Sequence, residues 1–312
     1  MLNNFKNSLI GFVLGDVLGV PVEFEERDIL RSSPVIGLRE FGTHYQPIGS
    51  FSDDTSLTLC TIESIVNNYD MVQTMDLFMK WHEEDYMTSH GITFDSGVAT
   101  SEAIKNYLDG LPIDKWGLDG FHKNGNGSLM RMLPIAFLNL NLDYISRYRN
   151  VYECSSLTHK HNISIMCCFY YTELIKLFLE GNNLAEAYKI LQNSFEYNLT
   201  KYGFDTSHIN VLDRILNDNI GELKESDIES SGYVVHTLEA SLWSLINSNN
   251  YIEATLKAVN LGNDTDTNGA VTGSMAGLIF GLDNVPKDWI SSIGRIDEVV
   301  KMADKFVQRI QI

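Results

Sequence analysis

The stretch Leu261–Gly281 reads LGNDTDTNGAVTGSMAGLIFG, an acidic and hydroxyl-rich segment followed at once by a run of glycine, alanine and serine. Glycine costs about 1 kcal/mol relative to alanine at a helical position. A glycine-rich helix is therefore tolerated where neighbouring backbones come very close, and we predict a central, tightly packed helix over 268–281. Asn, Asp and Thr also cap helix starts, so the acidic segment taken alone is interpreted as a cap.

Helical periodicity extends through most of the chain. Apolar residues form a stripe in 56–69, cover most sides of 164–181 up to a glycine, and recur in the pair 237–248 and 251–262. Strand signals are weak, with 33–41 the one candidate for extended structure. The polar segment 198–231 favours one short helix around 208–216, flanked by loops. We predict an all-α fold of roughly a dozen helices in a single compact domain, 1–312.

Composition limits the classes of function. The chain has 312 residues and a net charge of −18 with no basic run, which makes nucleic acid an unlikely partner without excluding it. Four cysteines without a C-x-x-C pair favour reduced thiols and a cytoplasmic location. Asp16 interrupts the apolar N-terminal stretch, and no apolar run reaches about 18 residues, so we expect neither a signal peptide nor a membrane span.

A second acidic cluster, GSFSDDTSLTL, occupies Gly49–Leu59 and also precedes an apolar helical run. If the two helix starts meet, the carboxylates of Asp53, Asp54, Asp264 and Asp266 converge. At about 4 Å and an effective dielectric constant of about 20, each close pair costs about 4 kcal/mol. Two divalent cations would neutralise this charge, and ligands that are all oxygen suit Mg²⁺ or Mn²⁺ rather than zinc.

Other motifs have both a functional and a structural interpretation. Glu23 follows the first helix between Val22 and Phe24, as a buried acid or base or as a surface glutamate. The segment NGNGSLMRMLPIAF at 124–137 is a phosphate-binding helix start or an ordinary turn. The histidines of SSLTHKHN at 155–162 are ligands or structural residues, and Tyr233 beside a glycine is suited to stack on a flat ring.

In this order, the motifs GDVLGVPVE, SFSDDTSLTL, FDSGVATSEA, NGNGSLMRMLPIAF, LTHKHN, SGYVVHTLEASLW and LGNDTDTNGAVTGSMAGLIFG resemble the successive blocks of the ADP-ribosylglycohydrolase family, as in the dinitrogenase reductase-activating glycohydrolase. The resemblance runs from about Phe5 to Trp289. It implies an orthogonal all-α fold, a binuclear Mg²⁺ or Mn²⁺ centre, and hydrolysis at the anomeric carbon that releases ADP-ribose from mono-ADP-ribosylated substrates.

The resemblance also implies roles for individual residues. The metal ligands would be Ser52, Asp53, Asp54, Asp264, Asp266 and Thr267. The catalytic candidates are Glu23 and Asp95, and the substrate-binding candidates are Asn126, Gly127, Ser128, Met130, His159 and Tyr233. Ser52 stands where threonine is common, and Asn263 stands where glycine is frequent. No predicted metal-ligand position has lost its oxygen.

Two other functions remain open. A metal-dependent nucleotide phosphohydrolase would use a similar oxygen-rich site and would release phosphate. A non-catalytic ADP-ribose-binding or structural relative would bind the ligand without turnover. The group that carries ADP-ribose, whether an arginine, a serine, another side chain, a nucleic acid end or an ester, is also left open, as is the choice between Mg²⁺ and Mn²⁺.

Overall fold

Helices make up all the extended regular structure of residues 1–311, the part of the chain that a computed structural model describes. The α-helices are α1 (Leu2–Gly19), α2 (Arg27–Ser32), α3 (Asp53–Val66), α4 (Met71–Glu84), α5 (Val98–Leu108), α6 (Leu133–Leu138), α7 (Tyr144–Ser156), α8 (Asn162–Leu179), α9 (Leu184–Lys201), α10 (Asp213–Leu216), α11 (Val234–Ile246), α12 (Tyr251–Val259), α13 (Thr265–Phe280), α14 (Lys287–Ser292) and α15 (Ile296–Ile310). Short 3₁₀ turns connect several of them. The predicted all-α fold class is confirmed.

The glycine-rich helix α13 packs against α1 with almost no side chains between the two backbones. A Cβ atom built at Gly11 would lie 2.5 Å from the carbonyl oxygen of Gly273, and one built at Gly269 would lie 2.5 Å from that of Gly15. Both distances are shorter than real Cβ contacts, so only glycine fits at these positions. The prediction of a central, tightly packed helix is confirmed, and the contact explains why glycine is tolerated there despite its helical cost.

One sequence expectation is wrong and another is confirmed with additions. Residues 33–41 form no strand, and the segment's one pairing is an isolated bridge between Phe41 and Gln46. The short helix predicted around 208–216 is present as a 3₁₀ turn over Ile209–Leu212 that continues into α10, but α9 also extends into the polar segment as far as Lys201, and two further 3₁₀ turns lie at Ile220–Glu222 and Glu225–Asp227. Buried side chains such as Ile220 and Ile228 fix these turns from the core, so a periodic pattern does not show them.

Two helices are long and apolar enough to cross a membrane by length and composition alone. They are Leu2–Val22, which is α1 with its following turn, and α8. The expectation that no segment reaches this length is therefore corrected. Within their apolar windows, 83% and 78% of the residues are buried inside the fold, so core packing accounts for their composition. They are weak evidence for a membrane.

Helix α9 begins with a capping box. The side chain of Asn183 accepts a hydrogen bond from the backbone N–H of Glu186 at 3.0 Å, and the Glu186 carboxylate accepts one from the Asn183 N–H at 3.0 Å. Replacing Asn183 with alanine should lower the free energy of unfolding by about 1 kcal/mol. Thermal unfolding should show this as a midpoint lower by about 2–4 °C. Asn193→Ala, on the exposed face of the same helix, is the control and should change little.

The helix starts of α3 and α13 meet beside the end of α1, and this junction positions the site. Gly19 ends α1 against the first turn of α13, where the Thr265 hydroxyl donates to the Gly19 carbonyl oxygen at 2.8 Å. The apolar core surrounds this junction, with Phe12, Leu57 and Val271 all buried. Two segments more than 200 residues apart in sequence are thereby brought together.

Candidate active site

The two acidic clusters lie in direct contact. The Thr267 hydroxyl donates to Oδ2 of Asp54 at 3.1 Å across 213 residues of sequence, and the Ser52 hydroxyl lies 3.3 Å from the same oxygen. Ser52 is also the N-cap of α3, where its side chain accepts from the Asp54 N–H, and Asp264 is the N-cap residue of α13. The capping interpretation therefore holds for α3 but not for α13, where the Asp264 side chain makes no capping hydrogen bond, and the carboxylates of the two clusters converge as predicted.

Several oxygen atoms in this cluster have no hydrogen-bond partner among residues 1–311. They are Oδ1 of Asp54, Oδ1 of Asp264 and Oδ2 of Asp266. Buried polar groups are nearly always paired, so unpartnered carboxylate oxygens at one place need an explanation. Burial, reinforced by the neighbouring carboxylates, raises the pKa values of Asp54 and Asp266 well above the ordinary range. The donor set is entirely oxygen and strongly negative, and it fits divalent cations such as Mg²⁺ or Mn²⁺.

Asp16 supports this cluster, a role that was not predicted from the sequence. Its carboxylate accepts hydrogen bonds from the Ser52 N–H at 3.0 Å, the Thr55 N–H at 3.1 Å and the Thr55 hydroxyl at 2.6 Å. It thereby holds the first turn of α3 in place. Burial raises the pKa of Asp16 to about 6. An acidic residue inside an otherwise apolar helix was the available signal.

Glu23 and Asp95 lie close together at the cleft, with His44 beside them. One ligand atom from each of these three residues lies within 4.8 Å of the others, and Nε2 of His44 is hydrogen-bonded to Oε2 of Glu23. Burial, followed by the charges of Asp95 and Asp264, raises the pKa of Glu23 to about 10. Glu23 is only 3% exposed, which supports the buried interpretation over the surface one. No pattern in the sequence pointed to His44.

The loop that carries Asp264 is joined to the segment that carries Glu23. The Phe24 N–H donates to the Asn263 carbonyl oxygen at 2.6 Å, and the Asn263 N–H donates to the Glu25 carbonyl oxygen at 2.8 Å. Asn263 has a φ of 59°, in the left-handed region that asparagine tolerates better than most residues. The replacement of a frequent glycine by Asn263 is therefore compatible with the loop.

A cleft of about 560 Å³ opens above the carboxylates. The predicted residues that line it are Glu23, Asp53, Asp95, Asn126, Gly127, Met130, His159, Asp264 and Thr267. Ser52, Asp54 and Asp266 lie beneath its floor and are nearly fully buried. The Asn126 side chain donates to Oδ2 of Asp264 at 2.9 Å, which links the predicted substrate loop to the metal cluster.

Two predicted substrate-binding residues lie elsewhere. Ser128 is fully buried with its hydroxyl 3.3 Å from Sγ of Cys168, and it does not line the cleft. Tyr233 lines an adjoining groove of about 540 Å³ that shares Gly125 and Gly232 with the cleft. A ligand must therefore extend from the cleft into the groove to reach Tyr233.

The segment 124–137 does not form the helix start that its sequence suggested. A 3₁₀ turn covers Asn126–Arg131, and the Asn126 N–H donates to the Gly232 carbonyl oxygen at 3.0 Å. This N–H already donates to an acceptor within the protein, so it is not free to bind an anion. The contacts of this segment with a ligand have to come from the glycine backbone and from side chains.

Comparison with known proteins identifies the class. A solved structure described as an ADP-ribosylglycohydrolase-related protein complex superposes with a TM-score of 0.78 and 25% identity, covering 99% of this chain and 98% of that one. Fold and site together define an all-α hydrolase of ADP-ribosyl groups. The ADP-ribosylglycohydrolase family model matches residues 1–312, and the chain belongs to the ADP-ribosylglycohydrolase family.

Individual relatives cover nearly the whole chain. The ADP-ribosylarginine hydrolase Tri1 of Serratia proteamaculans (strain 568) is 29% identical over an alignment of 316 positions that covers 97% of this chain and 79% of that protein. The ADP-ribosyl-[dinitrogen reductase] glycohydrolase of Rhodospirillum rubrum is 23% identical over an alignment of 295 positions that covers 92% of this chain and 88% of that protein. The resemblance inferred from the motifs is confirmed.

Proposed function

We propose that this protein uses two divalent cations, Mg²⁺ or Mn²⁺, to hydrolyse the bond between ADP-ribose and a modified group. The observation that carries the proposal is the set of oxygens on Asp54, Asp264 and Asp266 that have no partner among residues 1–311, beneath a cleft of about 560 Å³. Family membership supports the reaction class. A phosphohydrolase would use similar ligands, but no observation in the cleft favours it over ADP-ribose release.

The cations would be held by Ser52, Asp53, Asp54, Asp264, Asp266 and Thr267. Bound there, they would supply Lewis-acid polarisation of oxygen atoms and would offset the negative charge that otherwise repels an anionic ligand. The protein's own residues then have three tasks: to orient the sugar, to handle protons at the anomeric carbon, and to hold the rest of ADP-ribose. The Asn126 amide is placed for the first task because it is hydrogen-bonded to Asp264 at the cleft floor.

Hydrolysis breaks the bond from the anomeric carbon to the leaving group and forms one to the oxygen of water. The leaving group gains one proton, and the attacking water loses one. Burial and the surrounding negative charge favour the protonated form of Glu23, which suits a proton donor to the leaving group. Asp95, which has a carboxylate oxygen within 4.8 Å of one of Glu23, is the candidate to accept the proton from water. His44 holds the Glu23 carboxyl in place.

We propose ADP-ribosylated arginine as the substrate to test first. The name of the Serratia proteamaculans relative specifies this linkage. A guanidinium attached to the sugar carries positive charge, and the cleft offers the carboxyl groups of Glu23 and Asp95.

In the same proposal the protein is cytoplasmic, because its four cysteines, Cys60, Cys154, Cys167 and Cys168, are all buried free thiols.

The deciding experiment gives the purified protein ADP-ribosylated arginine, serine, nucleic acid ends and esters, each with Mg²⁺ or with Mn²⁺. Release of free ADP-ribose that stops with a chelator supports the proposal. Release of inorganic phosphate instead would support the phosphohydrolase, and tight binding of ADP-ribose without turnover on any substrate would support the non-catalytic alternative. The same panel identifies the acceptor group and the preferred cation.

Replacing Glu23 with glutamine should lower kcat about 100-fold, because the amide cannot donate a proton to the leaving group in the same way. The Asp95→Asn variant, measured in parallel, shows which carboxyl group is the main acid or base. Both variants should still be stabilised by Mg²⁺ in thermal unfolding, since neither residue is among the proposed ligands. Unchanged turnover in both variants would contradict the assignment.

A further inference from the structure

Arg131 is fully buried and has no carboxylate partner among residues 1–311. One guanidinium nitrogen donates to the Gly127 carbonyl oxygen, and another donates to the Cys154 carbonyl oxygen at 2.9 Å and to the Thr158 hydroxyl at 2.8 Å. A buried cation is costly unless it is hydrogen-bonded, and these neutral acceptors satisfy the two terminal nitrogens of Arg131, while its Nε has no partner among residues 1–311. Arg131 thereby connects the 124–131 and 155–161 segments, both of which line the cleft.

The hydroxyl of Thr158 is hydrogen-bonded both to the Arg131 guanidinium and to the ring of His159. Its Oγ1 lies 2.7 Å from Nδ1 of His159. An arginine can only donate, so Thr158 accepts from Arg131 and has one proton of its own left to donate. Within the described residues, Nδ1 of His159 is the one acceptor that the Thr158 hydroxyl reaches. Nδ1 is therefore the acceptor, and the ring proton lies on Nε2.

The opposite nitrogen of the ring faces the cleft. His159 lines the cleft, and Nε2 has no hydrogen-bond partner in residues 1–311. A Cβ atom built at Gly125 would lie 3.3 Å from Nε2, and one built at Gly127 would lie 2.9 Å from the neighbouring ring carbon Cε1. Larger residues at these two positions would collide with this edge of the ring, which lies at the cleft wall although the residue as a whole is only 2% exposed.

The ring is neutral as well as oriented. Burial, with a further contribution from the charge of Arg131, lowers the pKa of His159 to about 3. Both ring nitrogens would be donors in the charged form, and Nδ1 could not then accept from Thr158. The hydrogen-bond geometry and the burial therefore both favour the neutral ring with its proton on Nε2.

We propose that Arg131 and Thr158 are positioning residues that hold His159 as a neutral ring with its proton on Nε2, a fixed hydrogen-bond donor to an acceptor oxygen of the ligand. The proposal rests on the proposed function, in which ADP-ribose supplies such oxygens in its diphosphate and riboses. The donor distinguishes ligands by chemistry, because a ligand group that offers only N–H donors at this place, such as an ammonium or a guanidinium, would be left facing another donor.

The test reads the ring directly by ¹⁵N NMR of the Mg²⁺-loaded, full-length protein, with the His159 signals assigned by their loss in His159→Gln. We expect wild type and Thr158→Ser to show protonated Nε2 and unprotonated Nδ1 from about pH 5 to pH 8. In Thr158→Val, which keeps the shape without the hydroxyl, the Nδ1-protonated tautomer should appear. Calorimetry should show ADP-ribose binding about tenfold weaker in Thr158→Val and near wild type in Thr158→Ser.

A wild-type ring protonated on Nδ1, or on both nitrogens, would overturn the proposal, and so would ADP-ribose affinity that is the same in Thr158→Val as in wild type. The wild-type spectrum decides the tautomer even if Thr158→Val fails to fold. Failure of the wild type to bind ADP-ribose would contradict both the proposed function and the ligand role of His159. The ring's tautomer would still be read without ligand, so the two failures are distinguishable.

Discussion

Asp264→Asn is expected to abolish hydrolysis while the protein remains folded. The substitution keeps the size of the side chain but replaces a charged carboxylate, whose Oδ1 has no hydrogen-bond partner among residues 1–311, with a neutral amide. A neutral amide oxygen is a weaker ligand for Mg²⁺ or Mn²⁺ than a carboxylate. ADP-ribose release should therefore fall below detection at ordinary cation concentrations, as measured on the substrate that the wild type cleaves.

Thermal unfolding separates this loss from misfolding. Cation binding to the folded state raises the unfolding temperature of the wild type, and Asp264→Asn should lose most of this increase. Without cations the variant should be at least as stable as the wild type, since fewer buried negative charges repel one another. Asp283→Asn, an exposed residue, is the matched control and should behave as wild type. Full turnover by Asp264→Asn in excess Mg²⁺ would count against the metal assignment.

Gly11→Ala is expected to have the largest effect on stability. The added Cβ would lie 2.5 Å from the Gly273 carbonyl oxygen and 3.0 Å from a ring carbon of Tyr251, so α1 and α13 must move apart. Overpacking of a dense core costs about 1–3 kcal/mol, and a collision of two backbones belongs at the upper end. The unfolding midpoint should fall by roughly 5–10 °C, as measured by calorimetry.

The matched control is Gly120→Ala, where the nearest atom to a new Cβ is the flexible side chain of Lys123 at 3.5 Å. This variant should unfold within a degree or two of the wild type. If Gly11→Ala unfolded at the same temperature as Gly120→Ala, the close approach of α1 and α13 would be wrong. Because Gly11 lies more than one helical turn before Asp16, cation binding by the Gly11→Ala protein that remains folded should be retained.

Some site residues could not be predicted from this sequence alone. Asp16 and His44 act through contacts with residues that are distant in the sequence. Asp16 binds the first turn of α3, and His44 binds the carboxyl group of Glu23. Ser230 lies in the irregular 198–231 segment, yet its carbonyl oxygen accepts from the Asp264 N–H at 3.1 Å. Local sequence patterns indicate helix starts, caps and apolar faces, but they do not indicate which distant group a side chain contacts.

The all-α class, the glycine-lined helix contact and the two acidic helix starts could be predicted from the amino-acid sequence, because periodicity, glycine content and capping residues are local properties of the chain. The folded structure was needed to show that these starts share one site, that Ser128 lies beneath the cleft while Tyr233 borders a second groove, and that His159 is hydrogen-bonded to Thr158 through one particular nitrogen. These features depend on atoms brought together from segments far apart in sequence. Their energetics arise from burial and hydrogen-bond partners, which exist only after the helices have packed.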